Sequence, residues 1–125
     1  RLLVTGIFPN AKTYNHFETG VRKVDSVKKL YWQVTYMTDK AKEDAIVSGR
    51  MMDWPDVLVF EVKAQARLIG TAGVADVNFR VTADPYGNLY LLGRARSREE
   101  LKKAIARLEE GDGVKKIHNY AVVRP

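Results

Sequence analysis

The chain of 125 residues contains no cysteine, which excludes disulfide bonds, thiolate catalysis and cysteine-ligated metal sites. Its two histidines, His16 and His118, have no second metal ligand at a suitable spacing, so we predict neither a metal nor any other cofactor. The sequence has no run of about 20 apolar residues and therefore offers no membrane-spanning helix. The first residues read as a strand and lack the three-part layout of a signal peptide.

Catalytic groups are equally sparse in the sequence. A nucleophile needs a base within hydrogen-bond reach, and no local stretch of this chain places a serine or threonine beside such a base. The glycine-rich segment 70–73 lacks the Gly-Lys-Ser/Thr ending of a phosphate-binding loop. We therefore predict that the protein is not an enzyme.

An excess of positive charge is present instead. The 21 basic and 15 acidic residues give a formal net charge of +6 at pH 7, which favours anionic partners such as phospholipid headgroups or nucleic acid. Because 46% of the residues are hydrophobic, the chain can also bury a core. The composition thus indicates a folded protein suited to a negatively charged surface.

An internal repeat is the most informative pattern. Residues 2–36 and 89–123 share one pattern, and each position in the first copy corresponds to the position 87 residues later in the second. Each copy has a short apolar strand that ends in glycine (Gly6 or Gly93), then a helix, then an apolar strand that opens with Val-Lys-Lys. The offset is constant throughout, so we interpret the two segments as a duplicated unit.

A β-hairpin and a final strand are predicted in the second copy. Alternating apolar residues over 75–82 predict one strand, and 89–92 predicts its partner. The Asp-Pro-Tyr-Gly-Asn segment at 84–88 predicts the turn between them, because proline fixes φ and glycine supplies a positive φ. Residues 114–123 are predicted to form the last strand.

Two helices are predicted beside these strands. Ser97 and Glu100 form a capping box ahead of an apolar stripe at helical spacing, which predicts a helix over 98–109. The segment 57–69 is compatible with either a strand or a helix. Its alternation of polar and apolar residues favours a strand, whereas its helix-forming residues, with Asp56 as a cap and glycine directly after it, favour a helix. We predict a helix and keep the strand as the alternative.

The predicted fold class is therefore α+β, with three segments along the chain. Residues 1–37 form a partial βαβ unit, 38–53 a polar, partly helical linker, and 54–125 a complete αββαβ unit. In the complete unit we expect a mixed three-stranded sheet with two helices on one face, because helix 98–109 must bury its apolar stripe. The β-α-β connection makes two of the strands parallel.

The second unit resembles the BON domain. The resemblance rests on Leu91-Leu92-Gly93, on the capped helix from Ser97 to Glu110, and on the Gly-Val-Lys-Lys-Ile-His-Asn segment at 113–119. It covers residues 54–123 as a whole unit and 2–36 as a partial one. The resemblance implies a non-enzymatic bacterial envelope protein of the periplasm, associated with membrane phospholipid, envelope integrity and osmotic stress. An outer-membrane lipid anchor is expected too, although this chain does not contain one.

Two sets of candidate site residues follow. In the BON proteins that this sequence resembles, the leading helix of the second domain contacts the membrane, which suits a helix with tryptophan at its entrance and basic residues further along. The residues expected to contact lipid are Trp54, Val57, Val59, Phe60, Lys63 and Arg67. Lysine pairs at equivalent strand starts predict two anion-binding sites, with a solvated face as the alternative. These pairs are Lys28, Lys29, Lys115 and Lys116.

Three other expectations concern partners. A nucleic-acid-binding module is the second hypothesis, supported weakly by Tyr31, Trp32 and Tyr36 in the first unit's last strand, and we consider nucleic acid the less favoured partner. A protein–protein adaptor of the envelope is the third hypothesis. Finally, a two-stranded first unit would be unstable alone, so we expect it either to pack onto the second unit or to self-associate with another chain.

Overall fold

The computed structural model describes residues 2–24 and 30–125. The chain divides into two compact units, with the boundary between Arg50 and Met51. The secondary structure elements of the described residues are, in chain order, β1 (Leu2–Phe8), α1 (Ala11–Arg22), β2 (Leu30–Tyr36), α2 (Asp39–Val47), α3 (Trp54–Ile69), a 3-10 helix (Asp76–Asn78), β3 (Phe79–Ala83), β4 (Asn88–Ala95), α4 (Arg98–Glu109), β5 (Lys116–Asn119) and β6 (Val122–Val123).

The first unit contains a β-α-β arrangement followed by α2. β1 and β2 form a two-stranded parallel sheet in which Leu2 lies opposite Leu30. Between them, α1 begins after Asn10, whose side chain accepts a hydrogen bond from the backbone N–H of Thr13. This cap satisfies one of the N–H groups that a helix start leaves without an intrahelical partner. The helix α2 lies in the segment predicted as a partly helical linker.

The second unit is built on a mixed sheet with strand order β3-β4-β5. β3 and β4 are antiparallel and are joined by the predicted turn, where the Asp84 carboxylate accepts hydrogen bonds from the backbone N–H groups of Tyr86 and Asn88. β4 and β5 are parallel, with α4 as the connection. α3 and α4 contact each other, and both contact the sheet, so both helices lie on one face. The predicted α+β fold class is confirmed.

The core of the second unit lies between these helices and the sheet. Its members are small or branched apolar residues that recur at helical spacing on the two helices and alternate on the strands. The fully buried ones, which anchor the cluster, are Leu68, Leu89, Leu91, Ala95, Ala104 and Leu108. A core this continuous fixes α3 against the sheet and thereby determines which of its faces meets solvent.

The β-α-β segments of the two units have the same geometry at the offset of 87 residues. α1 and α4 have equivalent bounds, and their N-caps, Asn10 and Ser97, are equivalent too. The strand registers also agree, since Leu2 lies opposite Leu30 while its counterpart Leu89 lies opposite Ile117. Gly6 and Gly93, with φ of +143° and +135°, share a backbone conformation that side-chain-bearing residues rarely adopt. The β-α-β segment of the first unit therefore agrees with that of the second in helix bounds, strand register and backbone conformation at this glycine.

One predicted strand is shorter than expected. The prediction of a strand over 75–82 is wrong for its first four residues, because residues 76–78 form the 3-10 helix and β3 begins at Phe79. The backbone N–H of Ala75 donates to the Glu100 carboxylate instead of a neighbouring strand. As a result Val77 is 87% exposed rather than buried beside Phe79. The hydrogen bond from Ala75 to Glu100 therefore decides the structure of this segment, against its local alternation of apolar and polar residues.

The predicted last strand is interrupted. Instead of one strand over 114–123, β5 and β6 flank a break at Tyr120 and Ala121. The Asn119 side chain accepts the hydrogen bond from the N–H of Ala121, while the N–H of Tyr120 still donates to the Leu91 carbonyl of β4 at 2.8 Å. β6 then pairs with the end of β4, where Arg94 lies opposite Val122. The sequence predicted one extended segment here, whereas the structure has two short strands, β5 and β6.

Both predicted helices of the second unit are confirmed. α4 occupies residues 98–109 as predicted, and the Ser97 hydroxyl accepts a hydrogen bond from the Glu100 N–H. α3 confirms the helix predicted over 57–69, and Gly70 ends it. It begins one turn earlier than predicted, because Asp53 caps it and not Asp56. The proline at the second helical position is compatible with this start, since the first turn needs no N–H there.

Candidate membrane-binding helix

The inner face of α3 is held tightly against the second unit. Val57, Ala64 and Leu68 recur at spacings of seven and four residues and are buried. Gln65 adds two hydrogen bonds to β3: its Nε2 donates to the Phe79 carbonyl at 3.3 Å, and its Oε1 accepts from the Val81 N–H at 2.9 Å. These bonds fix the rotation of the helix about its own axis, so its outer face is defined.

The outer face of α3 carries a row of exposed apolar side chains. Trp54, Leu58 and Val62 are four residues apart, and Ile69 follows seven residues later, so all four share one side of the helix. We call these four residues the α3 apolar row. Trp54 is 65% exposed, Val62 68% and Ile69 64%. A helix in a water-soluble fold ordinarily turns its apolar stripe inward, so a second apolar stripe on the outside calls for a partner.

A half-open groove lies along one flank of α3. Its volume is about 280 Å³, and it brings together basic, acidic and apolar side chains. The residues that line it are Met52, Asp56, Val59, Phe60, Lys63, Arg67 and Asp112. The two predicted basic residues of the site, Lys63 and Arg67, therefore lie side by side here, with carboxylates of Asp56 and Asp112 on the same groove. The groove is mixed in charge, and none of the four residues of the α3 apolar row lines it.

The residues that were predicted to contact lipid differ in their solvent exposure. Trp54 and Val59 are exposed, and Phe60 is half-buried because it packs against the core. Val57 is only 2% exposed and lies on the inner face, so it is not available to a surface partner, and we remove it from the lipid-contacting set. Sequence reasoning missed Leu58, Val62 and Ile69. The four-residue spacing from Trp54 to Leu58 and Val62 was the signal that could have found them.

Only one of the two predicted anion sites, the lysine pair of the second unit, lies within the described residues. Lys115 and Lys116 are exposed, and Lys116 opens β5 opposite Asn88. The Lys115 backbone N–H donates to the Gly87 carbonyl at 2.9 Å. Lys28 and Lys29 lie outside the described residues. An anion site that pairs the two copies stays a prediction.

The ionisable groups with shifted pKa values have structural partners. Arg96 binds the buried carboxylate of Glu100 and lowers the pKa of that carboxyl to about 2. Burial raises the pKa of the Tyr90 hydroxyl, which also donates a hydrogen bond to Asp84. The ring of Tyr90 also stacks on the imidazole of its neighbour in β5, with 4.8 Å between the ring centroids. Each of these groups is thus accounted for by the packing of the second unit.

Metal binding and membrane crossing can be judged for residues 2–24 and 30–125. Among these residues, no group of three or more His, Cys, Asp or Glu side chains is arranged to hold a metal ion. In the same part of the chain, no helix is both long enough and apolar enough to cross a membrane.

The second unit also has a recognisable sequence signature. Residues 59–125 match the BON domain, and this span is more than half of the chain. The chain belongs to the BON domain family. The BON match begins within α3 and includes the whole sheet of the second unit, with α4. The match to residues 59–125 confirms the resemblance to the BON domain for the second unit.

The chain also resembles solved structures of a secretion-system protein. One similar structure is CdsD, a structural protein of the type III secretion system of Chlamydia trachomatis, with 13% sequence identity, a TM-score of 0.47, and coverage of 98% of this chain and 80% of that chain. Another is the C-terminal domain of CdsD, with 16% identity, a TM-score of 0.43, and coverage of 100% of this chain and 85% of that chain. Among curated proteins, none matches this BON protein.

Proposed function

We propose that this BON protein binds anionic phospholipid surfaces through the α3 apolar row, without catalysis, and supports envelope integrity or protection from osmotic stress. We place it in the bacterial periplasm, at the outer membrane or close to it, with its first unit as a partial second BON domain. The observation that carries the proposal is the exposed apolar row on the outer side of a helix whose inner side is already buried.

The shape of the row suits a membrane interface. A helix that lies in the interface buries its apolar face at the boundary between headgroups and acyl chains. Trp54 stands at the start of α3, where an indole ring favours the headgroup level. Transfer of each exposed apolar side chain out of water contributes on the order of 1 to 2 kcal/mol. Four such side chains together support reversible binding.

Charge explains why the proposed surface is anionic. The net charge of +6 attracts negatively charged lipid. Lys63 is exposed on α3 itself, one residue beyond Val62 and therefore about 100° around the helix from it. A long lysine side chain can keep its ammonium group at the headgroups while its methylene chain stays in apolar surroundings. Since this attraction is electrostatic, binding should weaken as the salt concentration rises.

The first prediction is that replacing Val62 with glutamate weakens vesicle binding about tenfold or more. The substitution places a carboxylate at the centre of the α3 apolar row, where it would have to leave water and would face anionic lipid. Co-sedimentation with phosphatidylcholine vesicles, with and without phosphatidylglycerol, measures the effect. The wild-type chain should bind the phosphatidylglycerol vesicles only, and less so at high salt.

A matched control is available within the same unit. Val77 is 87% exposed and lies on the 3-10 helix, outside the α3 apolar row, so Val77→Glu introduces the same charge off the row and should leave vesicle binding within about twofold. Both variants should keep the thermal unfolding temperature of the wild type. Equal losses in the two variants would show that charge alone, and not the row, governs binding. Tighter binding to random oligonucleotides than to vesicles would favour the nucleic-acid hypothesis instead.

A further inference from the structure

The sheet of the second unit has a face that points away from α3 and α4, and the charge on this face is positive. Leu89, Leu91 and Ala95 alternate along β4 and are buried in the core beneath the helices, so the residues between them point to the other side. We call this side the outer face of the sheet. The strands β3, β4, β5 and β6 contain no acidic residue, so the charged side chains that they place on the outer face are all basic.

Three arginines form a diagonal line across the outer face. Arg80 lies on β3 opposite Leu92 of β4, and Arg94 follows two residues further along β4. Arg94 in turn lies opposite Val122 of β6, and Arg124 follows two residues later, with its backbone N–H still bound to β4. Residues two apart along a strand share a face, and so do residues opposite each other on paired strands. We call Arg80, Arg94 and Arg124 the arginine line.

The spacing along the arginine line is regular. Each step goes one strand sideways and two residues along, and diagonal neighbours of this kind have Cβ atoms about 7 to 8 Å apart. Two such steps take the line from β3 across β4 to β6, over about 15 Å. Positive charges in a row match an extended chain of anionic groups better than they match one small anion.

The three arginines are exposed, and none of them has a carboxylate partner among the residues that the structure describes. Arg96, in contrast, forms an ion pair with Glu100. Like charges on neighbouring strands repel each other, so the arginine line lowers the stability of the sheet until an anion neutralises it. Guanidinium groups bind phosphate through paired N–H donors, which makes phosphate groups the suitable counter-charge.

The aromatic residue of the central strand on this face is not available for base stacking. Tyr90 is only 4% exposed, and its hydroxyl donates a hydrogen bond to Asp84. Sheets that bind single-stranded nucleic acid present aromatic rings on which bases stack, and the buried ring of Tyr90 cannot take that role. Phosphate groups are therefore the part of a chain that the arginine line can recognise.

We propose that the arginine line binds a linear chain of phosphate groups through charge-assisted hydrogen bonds. Inorganic polyphosphate and the phosphodiester backbone of a polymer share this chemistry. The site is separate from the α3 apolar row, because α3 packs on the opposite side of the sheet. The second unit thus has two anionic partners on opposite sides, a membrane surface at α3 and a phosphate chain at the outer face of the sheet.

Inorganic polyphosphate long enough to span the arginine line tests the proposal with the full-length protein. In isothermal titration calorimetry it should bind at least about tenfold more tightly than inorganic monophosphate at the same ionic strength. Arg94→Gln removes the central charge and should raise the dissociation constant about tenfold. It should also lower the slope of log affinity against log salt concentration by about one, because one phosphate contact is lost.

Two control variants separate the arginine line from net charge and from the membrane site. Lys102→Gln removes an exposed charge from α4, on the other side of the sheet, and should change polyphosphate binding by at most about twofold. Val62→Glu should leave polyphosphate binding unchanged, and Arg94→Gln should leave vesicle binding within about twofold. The two proposals can therefore fail separately. All three variants should keep the thermal unfolding temperature of the wild type.

Three results would overturn the inference. The first is polyphosphate that binds no better than monophosphate, and the second is an equal loss of affinity in Arg94→Gln and Lys102→Gln. The third concerns an oligothymidylate with the same number of phosphates as the polyphosphate. Affinities within about tenfold of each other support recognition of the phosphates alone, whereas much tighter binding of the oligothymidylate would show that the bases are recognised as well.

Discussion

Replacing Gly93 with alanine is expected to abolish the stable fold of the second unit, with a loss of at least about 4 kcal/mol. The new Cβ would lie 2.1 Å from the Asn78 carbonyl oxygen and 2.9 Å from the Phe79 Cα. Both are backbone atoms, which cannot rotate away as the end of a side chain can. The φ of +135° adds the strain of a conformation that alanine rarely adopts. A small domain has a total stability of only about 5 to 15 kcal/mol.

Gly6→Ala is the matched control for this prediction. Gly6 has nearly the same φ, +143°, but no atom within 4 Å of the position of its Cβ. The substitution should therefore introduce only the backbone strain, about 1 to 2 kcal/mol, and only in the first unit. Hydrogen–deuterium exchange, read peptide by peptide, reports the two units separately. Retained protection of β3 and β4 in Gly93→Ala would contradict the prediction.

The sequence was most informative where structure is decided locally. Helix α4 was predicted to the residue because Ser97, a capping side chain, directly precedes a clear apolar stripe. The constant offset between Gly6 and Gly93 likewise predicted equivalent strands in the two units. Asp84 and the residues after it were recognised as a turn, because their turn chemistry depends on neighbours in the sequence.

The errors arose where distant residues decide the structure. Val77 fits an alternating strand, but the Ala75 N–H is bound by Glu100, 25 positions away along the chain. The same limitation affected the site. α3 is apolar on two sides, so its sequence alone could not distinguish the buried Val57 from the exposed Val62. That choice depends on the hydrogen bonds of Gln65 to β3, which are visible only in the folded unit.

The start of α4 is a second place where one substitution should strongly destabilise the second unit, because Glu100 lies there. Its carboxylate is 3% exposed and accepts hydrogen bonds from the N–H groups of Ala75 at 2.9 Å and Arg96 at 2.7 Å. The Arg96 guanidinium completes the site with an Nη2–Oε2 distance of 2.6 Å. Only one half of the predicted capping box is formed, because Glu100 accepts from the N–H of Arg96 and not from that of Ser97. The Glu100 carboxylate instead joins three segments, namely the 3-10 helix region, the end of β4 and α4.

Glu100→Ala is therefore expected to destabilise the second unit by about 3 kcal/mol, because it removes hydrogen bonds to a charged acceptor and leaves the N–H groups of Ala75 and Arg96 without this partner. Glu99→Ala is the control: Glu99 is exposed and adjacent in the same helical turn, and its loss should cost at most about 0.5 kcal/mol. Urea unfolding of the two variants at neutral pH measures the difference. Equal midpoints would show that Glu100 does not join the three segments energetically.

The pH dependence of stability isolates the charge of Glu100 from its shape. The folded-state pKa of Glu100 is lowered from 4.5 to about 2, first by the hydrogen bond from Arg96. A carboxyl with a lowered folded-state pKa contributes stability that is fully present above the unfolded value and is lost as the pH falls towards the folded value. We expect the wild type to lose this contribution between about pH 4.5 and pH 2. Glu100→Gln keeps the shape but does not titrate, so its disadvantage should shrink over that interval, and a constant disadvantage would contradict the assignment.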